Sequence, residues 1–97
     1  MDTNVNVIAD VHWKWVDQWG WHKTSPLEKL ALIASEIGEA VNECRGETPT
    51  DKLPAELADI ILRSLDLMVD LGIEPNVALW EKIEKNHQKG NFKGRTK

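Results

Sequence analysis

Ser25-Pro26-Leu27-Glu28-Lys29-Leu30-Ala31-Leu32-Ile33-Ala34-Ser35-Glu36-Ile37-Gly38-Glu39-Ala40-Val41-Asn42-Glu43-Cys44-Arg45 carries helix punctuation at its start and is followed at once by Gly46. Ser25 suits the N-cap and Pro26 the first helical position. Glu28 completes an S-x-x-E capping box, in which two backbone donors that a helix start leaves unpaired are satisfied reciprocally. Leu27, Leu30, Ala31, Ala34, Ile37, Val41 and Cys44 recur at spacings of three and four, which predicts a helix with these residues on its buried stripe. Gly46 is placed to end it after Arg45.

The same punctuation divides the rest of the chain. Before this segment, Val5 to Trp19 places Ile8, Val11, Trp15 and Trp19 on one helical face, with Gly20 as the stop. After it, residues 47–53 (Glu-Thr-Pro-Thr-Asp-Lys-Leu) read as a loop. Pro54 opens a third helix whose buried side is set by Leu57, Ile60, Ile61, Leu65, Met68 and Leu71, and Gly72 stops it. Pro75 opens a fourth with Leu79, Trp80 and Ile83 inward, and Gly90 and Gly94 break any continuation. No window has a period of two. The expected fold class is all-α: one domain over 1–97, an antiparallel bundle of about four helices with short connections, and a basic tail from about residue 90.

Composition narrows the function classes. A chain of 97 residues supports one modest core, so self-association is a natural source of further stability. The lone Cys44 allows no internal disulfide. Met1-Asp2-Thr3-Asn4 lacks the basic flank and apolar run of a signal peptide, and no apolar stretch suffices for a membrane span, so the expected compartment is the cytosol. Residues 85–97 hold five of the twelve basic residues and no acid, leaving seven basic against sixteen acidic residues in 1–84. So acidic a body argues against general nucleic-acid binding, because phosphate would be repelled.

Glu36 and Glu39 are three apart and share a helical face, which Glu43 extends. Glu56 and Asp59 repeat the spacing on the next helix. In an antiparallel hairpin both pairs lie near the loop end and converge across the interhelical groove. Anions that close repel one another, and a hard divalent cation relieves the conflict. Oxygen-only ligands indicate Mg²⁺ or Mn²⁺ rather than Zn²⁺. Solvated acidic faces produce the same spacing, as Glu81 and Glu84 illustrate, so spacing does not separate the two origins. A di-iron bundle is excluded on ligand count, since only Glu84 and His87 form the E-x-x-H pair it needs twice.

Ser35-Glu36-Ile37-Gly38-Glu39-Ala40 followed by Glu56-Leu57-Ala58-Asp59-Ile60-Ile61 resembles the E-x-x-E…E-x-x-D signature of the MazG-like nucleotide pyrophosphohydrolases. Lys82-Ile83-Glu84-Lys85-Asn86, with Arg95 beyond, is similar to the basic closing motif of that family. The likeness runs from about Leu27 to Arg95. It implies an all-α fold, assembly as a dimer or a dimer of dimers, and Mg²⁺-dependent cleavage of a ribo- or deoxyribonucleoside triphosphate to the monophosphate and pyrophosphate. Glu36, Glu39, Glu56 and Asp59 would be the metal ligands, with Glu36 and Glu39 also catalytic. Lys82, Lys85, Asn86 and Arg95 would hold the phosphates. Many members carry a second acid just before the first motif Glu. Ser35 stands there in this chain, and Glu43 is the nearest residue on the same helix to activate water in its place.

Trp13, Trp15, Trp19 and Trp21 crowd nine residues, more than one face of a helix that short can bury. A subunit interface and a stacking wall for a nucleobase both fit. In the second case Trp15 and Trp19 would stack, and Gln18 and His22 would meet the base edge. Phosphoribosyl-ATP pyrophosphohydrolase, a non-catalytic helical dimerisation module, and nucleic-acid binding through the basic tail are the competing functions.

Overall fold

The computed structural model describes residues 4–20 and 24–92, with side chains to residue 89. It is built of four helices: α1 (Asn6–Gln18), α2 (Pro26–Asn42), α3 (Leu53–Asp70) and α4 (Pro75–Phe92). There is no strand among the described residues. No helix among them is long and apolar enough to cross a membrane. The capping box forms: Ser25 Oγ accepts from the Glu28 N–H at 3.1 Å, and the Ser25 N–H donates to Glu28 Oε1 at 2.9 Å. Gly20 and Gly72 have φ of +76° and +74°, the left-handed turn that a residue without Cβ makes at least cost, so both act as stops.

Two expected stops do not act. α2 ends at Asn42, short of Gly46, because Thr50 folds back and caps it. The Thr50 N–H donates to the Glu43 carbonyl at 2.9 Å, and its hydroxyl donates to Glu43 Oε1. α4 runs through Gly90 to Phe92, a position a helix tolerates at a cost of about 1 kcal/mol relative to alanine. Gly94 lies outside the described residues.

α2 and α3 are antiparallel and make the main packing surface, and α1 lies across α3. Lys29 near the start of α2 pairs with Asp70 at the end of α3, while Arg63, nearer the start of α3, reaches Glu36 in mid-α2 at 3.5 Å. α1 is fixed to α3 by two polar ties. His12 Nδ1 meets Asp66 Oδ1 at 3.0 Å, and Trp13 Nε1–H donates to Asp70 Oδ1 at 2.8 Å. The N-termini of α1 and α4 cap each other. Asn76 N–H donates to Asn6 Oδ1 at 2.9 Å, and Val5 N–H donates to Asn76 Oδ1 at 3.3 Å.

The expected apolar stripes are mostly exposed: Leu65 of α3 is buried and Ile60 and Met68 are half-buried, as expected, but most of the other members are not. The core is small: Ala9, Val16, Ala40, Leu65 and Leu67 are buried, and no large side chain is fully enclosed. Leu27, Leu30, Ile37 and Val41 of α2 are exposed, as are Leu57, Ile61 and Leu71 of α3 and Leu79, Trp80 and Ile83 of α4. Trp15 and Trp19, expected to face the core, are each 57 % exposed together with Ile8 and Val11. α1 instead turns Ala9, His12, Trp13 and Val16 inward. The face that α2 turns inward is Lys29, Ile33, Glu36, Ala40 and Glu43, at spacings of four, three, four and three. The inward faces instead carry polar partners: Lys29 with Asp70, Glu36 with Arg63 and His12 with Asp66 meet across the helix seams, and the apolar stripes lie outside them.

The protomer is correspondingly open. Its radius of gyration is 15.8 Å, against ~13 Å for a compact domain of this length. Its accessible surface is 7474 Å², against ~5,600 Å² for a compact monomer of this mass.

Candidate metal centre

The site is built at the loop end of the α2–α3 hairpin. Glu36 enters from the inward face of α2. Glu56 and Asp59 enter from the first turns of α3, which Pro54 opens. One carboxylate oxygen from each of the three lies within 4.8 Å of the other two, so a single cation can reach all of them. Glu36 and Glu56 are half-buried and Asp59 is exposed. Glu39 is exposed and falls outside this trio, yet it acts on Glu56 more strongly than any other charge. Glu43 belongs to the same field, but its carboxylate accepts the Thr50 hydroxyl and so anchors the interhelical loop.

The crowding leaves an electrostatic mark. The Glu56 carboxyl is pushed above its ordinary value of 4.5, first by desolvation and then by the negative charges of Glu39, Glu36, Asp59 and Glu43. A carboxyl raised in this way favours the folded state while protonated, and opposes folding as pH climbs from its ordinary value through the raised one. Glu56→Gln is therefore expected to gain thermal stability relative to wild type as pH rises from about 4 to 7 in chelator, and to lose that advantage when Mg²⁺ is added. Melting curves of the two proteins with EDTA and with Mg²⁺ check this. Midpoints that stay parallel in both series would contradict it.

Beyond Asp59 the same face of α3 continues through Arg63, Asp66 and Asp70. Arg63 Nη2 lies 3.5 Å from Glu36 Oε2, so a cation closes the inner side of the acidic group. Past Arg63 opens a cavity of about 390 Å³ between α1, α2 and α3. Val16 and Leu32 supply apolar wall, and Lys29, Arg63 and Asp66 supply charge. No family model, curated protein or solved structure matches the chain.

Of the residues singled out in the sequence, Glu36, Glu56 and Asp59 are brought together, with Glu39 and Glu43 close enough to perturb Glu56. Lys82, Lys85 and Asn86 lie on the exposed part of α4 and bond to no residue of the centre. Trp15, Gln18 and Trp19 are exposed and are not among the residues lining the cavity. Trp15 instead lies over a shallow apolar depression with Ile8, Val11 and Leu62. His22 and Arg95 lie outside the described residues. Arg63, Asp66, His12 and Lys29 were missed, although Glu56, Asp59, Arg63, Asp66 and Asp70 stand at alternating spacings of three and four, the signature of one continuous helix face.

Proposed function

We propose that this chain is a divalent-cation-dependent nucleoside triphosphate pyrophosphohydrolase that works as a self-associated assembly, as its resemblance to the MazG-like family suggests. The observation carrying this reading is the convergence of Glu36, Glu56 and Asp59 from two antiparallel helices to within 4.8 Å, beside a cavity whose walls are part apolar and part cationic. The donor set suits Mg²⁺ or Mn²⁺: it is all oxygen, and the raised Glu56 carboxyl marks a field that a bound cation would relieve. Glu36, Glu56 and Asp59 would hold the ion, with Glu39 at its edge. When bound, the ion offsets the charge of both carboxylates and phosphates and lowers the pKa of coordinated water.

The chain's own groups supply the rest. A water oxygen bonds to the α-phosphorus, the bridging oxygen to the β-phosphorus leaves, and pyrophosphate departs. The Glu39 carboxylate makes no ion pair or hydrogen bond among the described residues, so it remains the one able to take the proton of the attacking water. Glu43 is less suited to that task because it holds Thr50. Arg63 neutralises Glu36 on the inner side and keeps the approach to the cavity from being wholly anionic. Lys82, Lys85, Asn86 and Arg95 would attract the outer phosphates.

Self-association is supported by the outward stripes. On α2, Leu27, Leu30, Ala34, Ile37 and Val41 are spaced as three, four, three and four, the seam of a helix packed against another. Leu57, Ile61, Ser64, Met68 and Leu71 give α3 a parallel seam. The purified chain should release pyrophosphate from one or more ribo- or deoxyribonucleoside triphosphates in Mg²⁺ or Mn²⁺, and none in EDTA. A screen of canonical triphosphates with phosphoribosyl-ATP added tests both the reaction and its biosynthetic variant. No release from any of them would remove the enzyme and leave a dimerisation module.

A further inference from the structure

The cavity beyond Arg63 holds an acid, Asp66, that no step of the hydrolysis uses. Asp66 is 9 % exposed. Its Oδ1 is held by His12 Nδ1 at 3.0 Å, and its Oδ2 has no partner among the described residues. Arg63 Nε is buried and has no hydrogen-bond partner among them either. The cavity wall therefore offers one acceptor, the second carboxylate oxygen of Asp66, between the apolar side chains of Val16 and Leu32. An acceptor set in an otherwise apolar wall is complementary to a flat apolar ligand with a donor on its edge.

We infer that this cavity receives the base of the nucleotide, and that Asp66 selects bases carrying an exocyclic amino group on the edge remote from the sugar, cytosine or adenine, over their keto counterparts. The choice of a nucleotide as occupant rests on the pyrophosphohydrolase reading; the selectivity comes from the order of groups along α3. Glu56 and Asp59 come first and fix the phosphate end. Arg63 follows, in contact with Glu36, and Asp66 lies one turn further and deeper. A nucleotide laid along this face with its phosphates at the carboxylates brings the sugar side of the base to Arg63 and the remote edge to Asp66. In cytosine and adenine that edge carries an amino group, which donates, and a carboxylate only accepts. In uracil and hypoxanthine the remote edge is a carbonyl, which would set lone pair against lone pair in a buried wall.

The test uses pairs of ligands that differ only in this group: cytidine against uridine, and adenosine against inosine. Binding of the four nucleosides to the full-length chain in EDTA, followed by ligand-observed NMR, needs neither metal nor turnover. Cytidine and adenosine are expected to bind about tenfold more tightly than uridine and inosine, and kcat/KM for the matching triphosphates in Mg²⁺ should follow the same order. Asp66→Asn keeps an oxygen for His12 and turns a donor toward the cavity, so it should erase or reverse the preference. A purely structural Asp66 would leave the preference as it was. If this variant does not fold, the wild-type pairs still decide. Equal binding within each pair, a keto preference, a preference unchanged in folded Asp66→Asn, or no nucleoside binding at all would each overturn the inference. Pyrophosphate release with no discrimination would leave the hydrolase standing and remove the role of Asp66. Discrimination without release would keep the base site and remove the hydrolase.

Discussion

Asp59→Asn is expected to lose pyrophosphate release by a factor of about 10² or more, together with most of the stabilisation that Mg²⁺ gives the wild-type chain. A ligand present at a hundredfold excess over its Kd adds about 2.7 kcal/mol to a folded state, which in a domain of this length is a rise of ~10 °C or more in Tm. The amide keeps the shape of Asp59 and removes its charge, so the apo variant should fold as well as wild type and be relieved of repulsion against Glu56. Glu39→Gln separates ion binding from proton transfer. Glu39 stands outside the trio of close carboxylates, so this variant should lose turnover on a similar scale while keeping more of the Mg²⁺-dependent rise in Tm. Acids of a merely solvated face would behave otherwise, with both variants keeping whatever activity and Mg²⁺ response the wild type has. Folded variants with wild-type turnover would end the assignment of this centre.

Ile61→Asp is expected to weaken self-association by about a hundredfold or more. Ile61 is 58 % exposed in the protomer and lies within the α3 seam, with Leu57 at 48 % one turn before it. A charge placed there would be desolvated against the apolar stripe of a second copy. Gly38 sits beside Ile37 of the outward α2 stripe, and a Cβ there would meet nothing within 4 Å in the protomer, so the glycine has no intramolecular reason to be there. A bare backbone beside an apolar stripe lets another helix approach closely. Light scattering at micromolar concentration should give a mass well above 11.0 kDa for wild type and close to it for Ile61→Asp. A wild-type chain that scatters as an 11.0 kDa monomer would overturn the outward seams as an interface.

Helix number and starts were legible because they depend on local chemistry. The Ser25 capping box, Pro54, Pro75, Gly20 and Gly72 each act within a few residues of themselves. The meeting of Glu36 with Glu56 and Asp59 was legible for a related reason, since a short loop between two helices brings the end of one beside the start of the next. Which face is inward was legible only in part, through Leu65 of α3. Leu30, Ile37 and Ile61 have the spacing of a core, and hydrophobic periodicity identifies a face that needs covering without saying whether the cover comes from the same chain. The polar ties of Asp66 and Asp70 reach across 54 and 57 residues to His12 and Trp13, a separation no local pattern encodes. The cap of α2 escaped notice for a similar reason. Thr50 supplies donors from the loop, and Gly46 only looked like the natural terminator.

The exchange of caps between Asn6 and Asn76 fixes the foot of α4 and little else along it. Pro75 is buried, whereas residues 81–89 are all exposed. A helix of 18 residues spans about 27 Å, so it stands on its first turn like a boom on a pivot. A tilt of about 10° at the pivot would swing its far end by roughly 5 Å, the advance of one helical turn. The reach of Lys82, Lys85 and Lys89 is thus governed by two asparagine side chains at the opposite end of the helix, and a change at Asn6 would re-aim a row of positive charge without touching any member of it.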